Sequence, residues 1–113
     1  MTSLQLPNYL RSHRKRLALS QDDVAFLLGT RSGAKVCRDE RFMREPSLAT
    51  ALAYSVIFKR PSSELFGGLY QRIEKGVAER AKTLADRIEG QKPDRQSTHK
   101  LKALAEIIAA QSN

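Results

Sequence analysis

Basic side chains that can bind phosphate or read a base edge are concentrated in one short part of the sequence. Lys35, Arg38 and Arg41 occupy a helix-like run, and Arg31 and Arg44 flank it. An arginine guanidinium can bind guanine O6 and N7 bidentately, and both arginine and lysine can contact phosphates. The run follows an apolar, well-capped helix-like segment and has little of its own to bury. This combination indicates a helix that enters a DNA groove.

The composition of the whole chain agrees with a polyanionic partner. The 113 residues include 20 Lys and Arg against 12 Asp and Glu, which gives a formal net charge of +8. Nucleic acid is the leading partner for such a chain, and the alternative is a basic surface that serves only solubility. With 41% hydrophobic residues, the chain can bury one small core but cannot build an enzyme with a large enclosed pocket.

Other chemistry finds little support in the sequence. Cys37 is the single cysteine, so no internal disulfide is possible, and a small filler residue is favoured over a redox switch. His13 and His99 lack the spacing of a zinc site. The sequence predicts no catalytic residues, no cofactor and no metal. It shows no signal peptide or membrane-spanning run, which predicts a cytoplasmic location.

The first part of the chain reads as three helices. Residues 6–19 form the first, with Pro7 in its first turn. Ser20 caps a second helix over residues 21–28, which Gly29 ends. Ser32 caps a third helix that reaches about residue 41.

Two further helices complete this part. Ser47 caps a fourth helix, whose predicted apolar face comprises Leu48, Leu52, Ser55 and Phe58. A short fifth helix lies around residues 64–66. Gly67 and Gly68 are the clearest break in the chain, and they predict a first domain over residues 1–68.

The remaining residues, 69–113, are predicted to form a helical extension of two helices. A long amphipathic helix of about twenty residues is indicated by an apolar stripe of Leu69, Ile73, Val77, Ala81, Leu84 and Ile88. Residues 90–97 form a polar loop, and residues 99–110 form the last helix. No strand pattern appears anywhere, so the fold class is all-α.

The order of motifs in the first domain resembles the phage repressor and Cro-like (Xre-type) helix-turn-helix family. The similarity covers about residues 6–66, and its most specific parts are Leu19-Ser20-Gln21, Ala25, Leu28-Gly29, Glu40, Pro46-Ser47 and Glu64-Leu65-Phe66. The resemblance implies a five-helix lambda-repressor-like domain. The apolar positions that would lock the second and third helices together are Leu17, Leu19, Val24, Ala25, Leu28 and Val36.

The resemblance also implies roles for individual residues. Gln21 corresponds to a glutamine that contacts a DNA phosphate and braces the recognition helix. Glu40 corresponds to a glutamate that pairs with an arginine of the first helix, here Arg14. Arg14 is therefore expected to be structural rather than DNA-binding.

The third helix is expected to read DNA from its N-terminal turns. With Val36 facing inward, positions 33, 34, 37, 38 and 41 point outward to varying degrees, and Arg38 is the best candidate for reading a base. Gly33 and Ala34 are small enough to let the helix sit deep in the groove. The expected phosphate contacts are Arg31, Ser32, Lys35, Arg41 and Arg44.

The sequence departs from the family pattern in several places. The turn before the third helix has one extra residue, which leaves the register at residues 30–33 open. Asp39 stands where an apolar or aromatic residue is usual, Phe42 replaces a glycine, and Arg60 replaces a small apolar residue. The extra residue and Asp39 affect which residues can contact bases, and they leave the predicted fold unchanged.

Phe26 and Leu27 occupy positions of the second helix that are polar in the family. A face of this kind is expected to be covered, and the C-terminal apolar stripe could do so within the chain or from a second copy. The stripe either packs as extra core against its own domain or pairs with a second copy as a dimer seam. We favour a homodimer, because two half-sites about one DNA turn apart suit this family.

These features together predict a sequence-specific double-stranded DNA-binding transcriptional regulator of the repressor type. The alternative is an antitoxin-like interaction module whose C-terminal helices hold a protein partner. A tail that is disordered in the free protein would favour the partner, whereas a folded tail favours a self-contained dimer.

Overall fold

The computed structural model describes residues 6–111, and within this range the chain is all-helical, without a strand. The first five residues and the last two, which the sequence prediction assigns to the first domain and the extension, lie outside the described residues. The helices are α1 (Leu10–Arg16), α2 (Gln21–Leu28), α3 (Gly33–Glu40), α4 (Leu48–Phe58), α5 (Ser62–Leu65), α6 (Gly67–Glu89) and α7 (Arg95–Gln111). The predicted all-α class is confirmed.

Local capping fixes the ends of α2 and α3 where the sequence predicts them. The Ser20 hydroxyl accepts a hydrogen bond from the Asp23 N–H at 2.9 Å, and the Asp23 carboxylate accepts one from the Ser20 N–H at 2.9 Å. Gly29 ends α2 in the left-handed region, with φ +80°. Ser32 caps α3 by accepting from the Ala34 N–H. These bonds satisfy backbone donors that the first turn of a helix leaves free.

The first helix is shorter than the predicted range of residues 6–19. Its start is delayed because the Tyr9 N–H donates to the Leu65 carbonyl at 2.7 Å instead of continuing a helix. Its end comes early because Ala18 takes a left-handed conformation, with φ +60°. Leu17 is consequently exposed, and its predicted place in the core is wrong.

Helix α4 begins after Ser47, as predicted, since the Ser47 hydroxyl accepts from the Thr50 N–H at 3.2 Å. Its predicted apolar face is only partly right. Phe58 is buried, but Leu48 and Leu52 are exposed. The second buried side chain of α4 is Tyr54. The core of this part of the chain comprises Leu10, Val24, Ala25, Val36, Tyr54, Phe58, Leu65 and Phe66.

The expected break at Gly67 and Gly68 is wrong, because both glycines lie in the first turn of α6. The interruption comes one residue earlier, at Phe66, which ends α5 with φ −115° and ψ 48°. By its contacts the chain divides into two compact units, the first ending at Tyr70 and the second starting at Gln71.

The second unit contains most of α6 and all of α7. Helix α7 starts at Arg95 rather than residue 99, because the Asp94 carboxylate accepts from the Ser97 N–H at 2.7 Å and caps the helix. Ala81, Ile88 and Leu104 form the buried core of this unit. Within residues 6–111, no helix is both long enough and apolar enough to cross a bilayer.

A buried polar cluster joins α3 to α4 in the first unit. Asp39 is only 4% exposed, and its carboxylate accepts a hydrogen bond from the Tyr54 hydroxyl at 2.7 Å. The Asn8 amide donates to the Asp39 carbonyl at 2.9 Å. Burial raises the pKa of Tyr54 well above its ordinary value, so the phenol remains a donor. Asp39 is therefore accommodated in the core by bonding to a tyrosine, at a position where the sequence resemblance led us to expect an apolar residue.

We expect Tyr54→Phe to lower the free energy of unfolding by about 1–3 kcal/mol, because the buried Asp39 carboxylate loses a donor. Chemical denaturation of the purified variant measures this. Tyr70→Phe is the control, since Tyr70 is exposed, and it should leave stability unchanged. The double variant Asp39→Leu, Tyr54→Phe should recover part of the loss, because the carboxylate and the phenol are both removed and only the half-buried Lys35 amine loses its partner. Equal stability of Tyr54→Phe and the native chain would contradict the role assigned to this bond.

Candidate nucleic-acid interface

A bidentate ion pair holds the C-terminal turn of α3 against α1. Arg14 donates from Nε to one Glu40 oxygen at 2.6 Å and from Nη2 to the other at 3.2 Å. The two side chains are only 11% and 5% exposed. The hydrogen bonds that Arg14 donates to the Glu40 carboxylate raise the pKa of Arg14 above its ordinary value. The predicted pairing is confirmed, and it makes Arg14 unavailable as a free surface cation.

Gln21 braces the same carboxylate from the first turn of α2. Its amide Nε2 donates to Glu40 Oε1 at 3.1 Å, so this oxygen accepts from both Gln21 and Arg14. The bracing role that the resemblance implied for Gln21 is confirmed. Its contact with a DNA phosphate stays a prediction. Glu40 thus connects the ends of three helices through one buried charge.

The start of α3 is pressed against the start of α2. The Gly33 N–H donates to the Asp22 carboxylate at 2.8 Å. A Cβ atom on Gly33 would lie 2.7 Å from that Asp22 oxygen and 3.1 Å from the Gln21 backbone carbon. Gly33 is buried, and the expectation that it faces outward is wrong. Its lack of a side chain serves the packing of α2 against α3.

The outward side of α3 carries Ala34, Arg38 and Arg41, all of them exposed. Their spacing of four and three residues places them on one face of the helix. Arg31 and Ser32 are exposed just before the helix, and Arg44 is exposed beyond it. Among residues 6–111, none of these four arginines forms an ion pair. The structure therefore presents free guanidinium groups at both ends of α3 and on its outer face.

Lys35 differs from the other basic residues of this helix. It is half-buried, and its amine lies 3.5 Å from the Asp39 carboxylate one turn later. Sequence reasoning placed Lys35 with the free phosphate contacts and missed this pairing. The sequence did indicate that Asp39 is buried, because it follows the inward Val36 by three residues and therefore shares its buried face.

An open groove of about 790 Å³ runs beside the first turns of α2 and α3. It is lined by Arg14, Ser20, Gln21, Asp22, Ser32, Gly33, Ala34 and Cys37. Cys37 is half-buried there, as suits a small filler residue. Within the described part of the chain, no group of three or more His, Cys, Asp and Glu side chains could hold a metal ion. The groove offers hydrogen-bonding groups and a guanidinium already paired with Glu40.

Comparison with known proteins gives no match: no family model, no curated protein and no solved structure is similar enough to this chain. The interface is therefore interpreted from its own residues.

We expect Glu40→Ala to lower the free energy of unfolding by about 3–5 kcal/mol, because Arg14 is left as an unpaired, largely buried charge. Differential scanning calorimetry measures the fall in melting temperature. Glu45→Ala removes a nearby exposed carboxylate that has no ion pair within residues 6–111, and it should change little. An unchanged melting temperature for Glu40→Ala would show that the pair does not stabilise the fold.

We expect Gly33→Ala to destabilise the chain by about 1–3 kcal/mol, because α2 and α3 must separate to admit a methyl group. Gly76→Ala in α6 is the control, since its added Cβ meets only the guanidinium end of Arg80, at 3.3 Å. That flexible group can move, so Gly76→Ala should be neutral or stabilising. Thermal unfolding of both variants tests the difference, and equal tolerance would argue against close packing at Gly33.

Proposed function

We propose that the protein is a sequence-specific double-stranded DNA-binding transcriptional regulator of the repressor type. In this proposal α1–α5 form a lambda-repressor-like domain, α2 and α3 are its helix-turn-helix, and α3 enters the major groove. The observation that carries the proposal is the outer face of α3. Ala34, Arg38 and Arg41 are exposed there, while the opposite side of the helix is held by buried bonds.

The fixed inner side of α3 supports base reading. Val36 is fully buried, and Asp39 and Glu40 bond to other parts of the chain. A helix anchored in this way keeps its outer side chains in one orientation, which geometric recognition of base edges requires. Arg38 would bind a guanine bidentately, and Ala34 would contact a thymine methyl group.

Phosphate contacts are assigned to the cations around this face. Arg31 and Ser32 lie where the N-terminus of α3 would approach the backbone, and Arg41 and Arg44 lie at its other end. Lys35 would contribute less than the arginines, because Asp39 already offsets its charge. Gln21 would contact a phosphate from the start of α2.

The proposed assembly is a homodimer with one α3 helix for each half-site. Dimeric readers of this kind bind half-sites about one helical turn of DNA apart. In the second unit, Ile73, Val77 and Leu84 remain exposed along α6, and they supply an apolar seam for a second copy.

A second candidate function is an antitoxin-like protein-interaction module. It is favoured by Phe26 and Leu27, which are 82% and 55% exposed on α2. Exposed apolar side chains that neighbour one another often mark a binding surface. A module that only holds a protein partner would bind DNA without sequence preference, through its net charge alone.

Selection from pooled random duplex DNA at two salt concentrations, with sequencing of the bound fraction, tests the proposal. We expect a symmetric motif to be enriched and to persist at the higher salt concentration. Arg38→Ala should abolish preference at one base pair of each half-site, at a cost of about 1–3 kcal/mol in discrimination. The reason is the loss of a bidentate contact that no phosphate contact replaces.

Arg87→Ala is the control, because it removes an exposed arginine of α6, far along the chain from α3. It should leave the motif unchanged. Binding that is uniform across sequences and lost with salt would refute sequence-specific regulation and favour the interaction module.

A further inference from the structure

A small cavity lies at the C-terminal end of α3, whereas the open groove described above lies beside its first turn. Its volume is about 230 Å³, and its lining includes Arg11, Ser12, Glu40, Arg41 and Phe42. Arg11 and Ser12 come from the first turn of α1, and Arg41 follows the last residue of α3. Neither the proposed base contacts nor the predicted phosphate contacts include Arg11.

The wall opposite α3 is held by hydrogen bonds on both sides. The segment before α1 bonds to the end of α3 through the Asn8 amide and the Asp39 carbonyl, at 2.9 Å. It bonds to the region after α5 through Leu6, whose carbonyl accepts from the Gly68 N–H at 2.8 Å. The Leu6 N–H donates to the Tyr9 hydroxyl at 3.1 Å. The cavity is therefore preformed, which lowers the ordering cost of binding a ligand.

The backbone at Phe42 helps to form the other wall. Phe42 has a φ of +52°, in the left-handed region that favours glycine. Phe42 itself lines the cavity together with Arg41.

The charges at the cavity favour an anion. Arg11 and Arg41 are exposed, and neither forms an ion pair within residues 6–111. The Glu40 carboxylate does not neutralise them, because Arg14 and Gln21 already occupy its oxygens. The C-terminal end of a helix contributes at most about −0.5 of a unit charge. Two guanidinium groups carry about four times that charge with the opposite sign.

We propose that this cavity binds an oxyanion, either a phosphate or a carboxylate group, between Arg11 and Arg41. Guanidinium groups bind such groups through paired N–H donors, and the Ser12 hydroxyl adds a further donor. Two sources can supply the oxyanion. One is a phosphate of the DNA backbone, which rests on the proposed function and extends its contacts to α1. The other is a free small anion.

Titration with inorganic phosphate tests the cavity directly. We expect the Nε–H resonances of Arg11 and Arg41 to shift saturably, with the ionic strength held constant by sodium chloride. Arg11→Gln should weaken the binding about tenfold through the loss of charge-assisted hydrogen bonds. Arg87→Gln makes the same chemical change on α6 and should leave the titration unchanged. Because Arg11 is exposed, its variant should keep the native melting temperature.

The salt dependence of binding to a random-sequence duplex identifies the source. If the cavity holds a backbone phosphate, Arg11→Gln lowers the slope of log affinity against log salt by about 0.9, and Arg87→Gln does not. An unchanged slope together with the expected phosphate titration assigns the cavity to a free small anion.

The outcomes separate this inference from the proposed function. If the native chain binds no duplex, sequence-specific regulation fails, and the phosphate titration alone decides the cavity. If Arg11→Gln alters neither the titration nor the salt slope, the cavity is not an oxyanion site. Equal losses in Arg11→Gln and Arg87→Gln would also overturn the proposal, because they would reflect general surface charge.

Discussion

The arrangement of the first unit depends on the hydrogen bonds of one buried carboxylate, that of Glu40. It accepts hydrogen bonds from Arg14 and Gln21, and so it ties α1 and the start of α2 to the end of α3. A buried ion pair of this kind gives little net stability compared with a well-packed apolar pair. Its effect is directional, since bidentate geometry permits one orientation of the guanidinium and the carboxylate. The position of α3 is thereby fixed.

Asp39, the neighbour of Glu40, fixes the same helix from another direction. Successive residues of an α-helix point about 100° apart, so adjacent carboxylates reach different partners. Asp39 meets Tyr54 of α4 and Lys35 one turn earlier on α3, whereas Glu40 meets α1 and α2. Two acidic residues on a basic helix would offset its positive charge if they faced solvent. Both instead form bonds inside the fold, and the exposed side keeps its positive charge.

Local signals in the sequence predicted α2 and α3 well, because Ser20, Gly29 and Ser32 act within a turn of their own positions. The Arg14–Glu40 pair was expected only through the family resemblance. The late start of α1 and the inward face of Gly33 were not foreseen. Each depends on partners distant in sequence, such as the carbonyl of Leu65 or the carboxylate of Asp22. Residue spacing within one segment contains no information about those partners.

The inner residues of α3 are needed for the stability of the fold, whereas its outer residues are not. Inner residues such as Val36 and Asp39 are buried, so a change there disturbs packing or leaves a polar group without its partner. Outer residues such as Arg38 are exposed and unpaired within residues 6–111, so substitution there costs little stability. Under the proposed function, the outer set can therefore vary to change the DNA sequence recognised while the helix stays in place. Such a surface would need an inner side that is bonded independently of any DNA, as Asp39 and Glu40 are.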